Sequence, residues 1–246
     1  MANWSDPRIG ATQPTTTIGR DVTFDAGLRA HMLSVYNYMA SGVLLTGIVA
    51  MLFARGGVDS FAFRVFSGGG LLAWLIILSP LAIVFTMSFG INRISTGTAR
   101  LLYWTYAVLM GLSLSTIFFV YDLGSIATAF FATAAGFAGL SLWGYTTKKD
   151  LSGMGTFLVM GLFGLIVAML INFFLQNPAM DLAISAIGVL IFAGLTAYDT
   201  QKIKSLYFHV SGTEFHGKAV VMGALTLYLD FINLFLFILR MFGNRN

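Results

Sequence analysis

Residues 219–239 read AVVMGALTLYLDFINLFLFIL, an almost wholly apolar run with a single charge, Asp230, near its middle. A helix needs about 20 predominantly apolar residues to cross a bilayer, so this stretch has the length and composition of a membrane span. Six further runs upstream qualify, near residues 35–53, 71–89, 101–120, 125–143, 155–175 and 182–198. The fourth and sixth are short and have polar neighbours close by, and are the weakest candidates of the seven. None shows the strict alternation of a barrel strand. The fold class expected is all-α, a polytopic membrane protein with seven transmembrane helices over residues 31–243. A six-span arrangement with one re-entrant segment is the alternative.

The composition agrees. Of 246 residues 57% are apolar and 10% charged, and the mean hydropathy is +0.83, against about 25% charged in soluble domains. The 14 basic and 10 acidic residues form no basic stripe of the kind nucleic acid requires, so no nucleic-acid partner is expected. The chain has no cysteine, which removes disulfides, thiolate metal sites and Cys nucleophiles. Residues 1–30 are polar and lack the basic start and apolar centre of a signal peptide. They read as a largely flexible tail with a short interfacial helix near 25–32.

Lys and Arg concentrate in cytoplasmic loops. With the N-terminus inside, one side holds Arg8, Arg20, Arg29, Arg93, Arg100, Lys148, Lys149, Lys202, Lys204 and Lys218. The other holds Arg55, Arg64, Arg240 and Arg245, the last two against the rule. Ten against four predicts a cytoplasmic N-terminus.

Small residues let membrane helices approach closely. Gly111 with Ser115, Ala132 with Gly136, and Gly161, Gly164 and Ala168 are the expected packing seams. Ser79-Pro80 near the middle of the second span predicts a kink.

An intramembrane acid costs roughly 2.5–3.5 kcal/mol on insertion scales, and two spans carry one: Asp199 and Asp230. Helical spacing puts Thr226, Asp230 and Asn233 on one face of the seventh helix, and Thr196 and Asp199 on one face of the sixth. Asn172 extends the small-residue row of the fifth. These polar stripes, facing one another, would enclose a narrow polar core. Two unit charges about 4 Å apart repel by about 4 kcal/mol at an effective dielectric of 20, so a close pair shares one proton and can serve as a pH sensor. The alternative is that each carboxyl bonds separately to nearby Tyr, Thr or Asn groups. Depth is an obstacle to pairing: Asp199 lies next to Lys202 and Lys204, whereas Asp230 lies about three turns of helix beyond residue 219. A tilted helix, or a seventh helix that starts deeper, would reconcile them.

Residues 194–204, GLTAYDTQKIK, and 225–233, LTLYLDFIN, closely resemble the signatures of the Bax-inhibitor (TMBIM) family. Val35 to Met39 with Thr46-Gly47, and Lys148 to Ser152, fit the same pattern, and the likeness covers about residues 28–243. The resemblance implies seven helices with the last in the centre. It also implies a pH-sensitive calcium leak sensed by two intramembrane aspartates, which by motif are Asp199 and Asp230. A basic residue at the end of the second span, for which Arg93 is the candidate, would act as gate partner. Calcium would be a weakly and transiently held permeant ion, with no resident cofactor. Some relatives carry an acid in the second span, where this chain has Ser79-Pro80.

Competing functions are fewer. Two aspartates on adjacent spans also describe an intramembrane aspartyl protease, but Asp230 follows Tyr-Leu instead of Gly-x-Gly. Retinal needs an intramembrane Lys, and the spans contain none. His31, His209 and His216 read as solvated groups of tail and loop, His209 and His216 with Glu214 being possible modulators of pH response. No enzyme is expected. A non-transporting regulator that binds a membrane protease or other membrane partner is the alternative function; a bacterial inner membrane is the expected location, and a eukaryotic endomembrane the alternative.

Overall fold

Within a bilayer a chain can satisfy its backbone groups internally as helices, and helices are what the apolar runs form. The computed structural model describes residues 16–245, with side chains from residue 26 onward. Its helices are α1 (Thr16–Ala54), α2 (Phe61–Ser67), α3 (Leu71–Gly90), α4 (Thr96–Leu114), α5 (Ile117–Val120), α6 (Leu123–Thr146), α7 (Ser152–Leu175), α8 (Pro178–Val210) and α9 (His216–Phe242), with a 3₁₀ turn at Gly57–Asp59. Among the described residues there is no strand, only an isolated bridge between Tyr121 and Arg245. Seven segments are long and apolar enough to cross a membrane: Ala26–Ala54, α3, Thr96–Val120, α6, α7, α8 and α9. Of the stretch read as a tail, residues 1–15 lie outside the described residues, and α1 runs on from Thr16 through the helix expected near 25–32.

The fourth and sixth expected spans are full helices of 24 and 33 residues. α8 starts with a good local signal, since Asn177 Oδ1 accepts from the Ala179 and Met180 N–H groups and Pro178 takes the first turn, where its missing donor is harmless. It then continues to Val210, well past the expected end at Tyr198.

α9 occupies the centre. In its most apolar stretch 67% of residues are buried, against 11–39% in the six other spans. A central helix has neighbours on several sides, and α1, α4, α6 and α8 all pack on it. α7 packs chiefly on α8 and leaves Phe157, Phe163 and Phe174 exposed, as a lipid-facing helix should.

Lipid gives helices little apolar reason to associate, so polar bonds and close packing hold the bundle. Thr46 Oγ1 donates to Ala107 O at 2.8 Å and lies 2.6 Å from the Tyr228 hydroxyl. The single Thr46 proton is committed to Ala107, so Tyr228 is the donor to Thr46. That chain ties α1, α4 and α9. In α3, Pro80 cannot bond back to Ile76 O. The Ser79 and Ser113 hydroxyls reach that carbonyl at 3.0 and 2.8 Å, so the proline's lost bond is replaced and α4 is fastened to α3.

The packing seams fall partly where spacing put them. Gly111 lies against the Thr46 carbonyl and Val49. A Cβ added at Gly136 or Gly164 would meet nothing within 4 Å. A closer approach is at Gly144 of α6, whose missing Cβ makes room for the Ala197 backbone of α8.

Candidate functional site

Asp199 and Asp230 are brought together. Asp199 lies about three turns before Val210, where α8 ends, and Asp230 about four turns after His216, where α9 begins. At 1.5 Å per residue these are about 17 and 21 Å from the intervening turn. The depth mismatch disappears because α8 outruns Lys202 and Lys204. The carboxyls are within hydrogen-bonding reach of each other and are 8% and 4% exposed. Asp230 Oδ2 is buried without a hydrogen-bond donor among the described groups.

The pair faces a cavity of about 510 Å³ between α7, α8 and α9. Thr226 and Asn233 line it. The Thr226 hydroxyl donates to Met222 O and one Asn233 amide hydrogen to Leu229 O, so their oxygens remain available to a ligand. Lys202 is the cation of this wall, its ammonium 5.9 Å from the Tyr198 ring centre.

The other expected members of the polar core lie elsewhere. Thr196 is fully buried, donates to Phe192 O at 2.7 Å and does not line the cavity. Asn172 sits at the end of α7, where its Oδ1 accepts from Asn177 N at 3.0 Å. It lines a separate cavity of about 760 Å³ with Asp181, Arg240 and Arg245. Asp181 pairs with both arginines, at 3.7 and 3.3 Å, a local anion for the two cations that broke the loop-charge rule. Arg93 is exposed in the turn after α3 and makes no ion pair with Asp199 or Asp230. Lys202 takes the nearby position.

The cavities lie in file. Met169 walls both the Asn172 and the carboxyl cavities. Tyr198 and Lys202 wall both the carboxyl cavity and a third, of about 320 Å³, beside Lys148 and Lys149.

The histidines need a correction. His209 is exposed, but His31 is 1% exposed. Its Nδ1 is 3.0 Å from His216 Nε2, and its Nε2 is buried without a partner among the described residues. This bond joins α1 to α9 beside Tyr207. The two residues are 185 positions apart, and no spacing pattern could have linked them. Among the described residues no group of three or more His, Cys, Asp or Glu could hold a metal ion.

Fold and site together define a polytopic α-helical membrane protein with a buried carboxyl pair on its last two spans. The family model for the inhibitor of apoptosis-promoting Bax1 matches residues 28–246, and the chain belongs to this Bax-inhibitor family. It is similar to the inner membrane protein YbhL of Escherichia coli K12, 46% identical over 225 residues, 89% of this chain and 94% of YbhL. A protein of Rickettsia prowazekii is 45% identical over 237 residues, 96% of this chain and 99% of that one. The protein YrjE of Lactococcus lactis is 38% identical over 226 residues, covering 91% and 95%.

Proposed function

We propose that the protein is a pH-sensitive cation leak of a bacterial inner membrane, with calcium as its permeant ion and the Asp199–Asp230 pair as its gate. The observation that carries this reading is the contact of two buried carboxyls at the wall of a cavity between α7, α8 and α9. The likeness to a bacterial inner membrane protein supports the location, and the loop charges support a cytoplasmic N-terminus.

With one shared proton the carboxyls bind each other and hold α8 to α9. Loss of that proton leaves two anions that repel by several kcal/mol. They part, and their oxygens turn to a cation. Calcium takes six to eight oxygens. Four carboxylate oxygens with Asn233 Oδ1 and the Thr226 hydroxyl approach that number, and water completes it. Weak binding of this kind favours passage over storage.

The test is calcium flux into liposomes holding the full chain, from pH ~5 to ~9, a range that spans the steps of a coupled pair. Flux should vary with pH, and Asp199→Asn and Asp230→Asn should each abolish or flatten that dependence. Unaltered pH dependence in both variants overturns the gate.

One observation favours a second reading. Both outer cavities of the file are basic, with Arg240 and Arg245 against Asp181 at one end and Lys148, Lys149 and Lys202 against Asp150 at the other. Such mouths repel a divalent cation. In this reading the protein is a non-transporting regulator that binds a membrane protease or other membrane partner. No flux at any pH from folded protein selects it.

A further inference from the structure

The third cavity has the makings of a ligand site of its own. α6 ends at Thr146 and α7 begins at Ser152, so the loop between these two apolar spans lies at the bilayer surface. The loop is held in one shape by Gln201 of α8, whose Nε2 donates to Lys149 O at 2.8 Å while its Oε1 accepts from Leu151 N at 2.9 Å. Lys148, Lys149 and Lys202 line the resulting cavity, and none of the three forms an ion pair among the described residues. The one anion in the wall, Asp150, is committed to the start of α7, its Oδ1 accepting from Ser152 N at 2.9 Å. Ser152 brings the positive end of the α7 dipole to the same wall. Three cations, a helix start and a fixed loop therefore surround about 320 Å³, the volume of about ten waters at ~30 Å³ each. That is room for the roughly ten heavy atoms of a phosphoglycerol group.

We propose that this cavity binds the phosphate of an acidic phospholipid headgroup, held by Lys148, Lys149 and Lys202 at the start of α7. Basic pockets between membrane helices at the headgroup level bind such lipids, and exposed lysines that form no ion pair among the described residues supply the charge. A free phosphate has the same chemistry but lacks the acyl chains that would hold it beside the lipid-facing surface of α7. Lys202 also walls the carboxyl cavity, so an occupied site draws its ammonium toward the phosphate and away from Asp199. That last consequence alone rests on the gate reading; the binding site does not.

The test is equilibrium binding of dioctanoyl phosphatidylglycerol to the full chain in neutral detergent, beside dioctanoyl phosphatidylcholine and inorganic phosphate. Phosphatidylglycerol should bind preferentially, and Lys148→Gln/Lys149→Gln should weaken it by about thirtyfold, at about 1 kcal/mol per lysine. Lys148→Arg/Lys149→Arg should keep the binding, and Arg100→Gln, on an exposed position of α4, should leave it unchanged. Equal binding of the two lipids, or undiminished phosphatidylglycerol binding in the double Gln variant, overturns the site. Inorganic phosphate that competes at equal concentration overturns the lipid as its source.

Discussion

Asp122 lies just before a membrane span and Asp199 within one, and their surroundings differ accordingly. Asp122 precedes α6 and caps it. The Ser125 hydroxyl donates to its Oδ2 at 2.7 Å and the Ser125 N–H to its Oδ1 at 2.8 Å. These bonds, the hydroxyl foremost, hold its carboxyl below the ordinary value of 3.8. A depressed folded pKa contributes stability that is complete above the unfolded value and lost as pH falls through the folded one. The melting temperature of the native protein should therefore exceed that of Asp122→Ala near neutral pH, and the gap should close as the pH falls below about 4. A gap constant down to pH ~2 would refute the role of the ionised cap. The buried carboxyls were legible in the sequence because a charge in an apolar run stands out on cost alone. His31 was not, because a histidine beside a polar stretch reads as a surface group and its partner belongs to the other end of the chain.

Among the helices, spacing reveals where a close approach is possible and leaves open which neighbour takes it. Gly136 has the same small-residue signature as Gly111, but only Gly111 has another helix against it. Gly144, which no seam drew attention to, lies on the Ala197 backbone. Gly144→Ala should force α6 from α8 and cost about 1–3 kcal/mol. Gly136→Ala should fall within about 0.5 kcal/mol of native. Unfolding in mixed detergents with rising SDS distinguishes them, and equal losses would refute this packing. Spans were read well in number and poorly in extent. Hydropathy falls off at Asp199 and Lys202, whereas the α8 backbone goes on bonding to itself wherever the lipid stops.

At the scale of the molecule, an odd number of spans sets the two described ends on opposite faces. Because the native chain has no cysteine, a single introduced one is an unambiguous reporter. With the N-terminus inside, Asn244→Cys should react with a membrane-impermeant maleimide added to intact bacterial cells, and Ser211→Cys, in the turn between α8 and α9, should react only after lysis. The reverse pattern overturns the orientation, and equal reactivity of both in intact cells overturns the seven-span crossing between them. The central position of α9 came from family resemblance; composition alone gave no ranking among seven apolar helices, since what singles α9 out is its number of neighbours. That position also sets an order of assembly. α9 leaves the ribosome after every helix that surrounds it, so Asp199, Thr46 and His31 must wait in the membrane for partners not yet synthesised. Until then α1, α4, α6 and α8 lack the helix that all four pack against, and this interval of biogenesis is when a quality-control protease would find the chain most open.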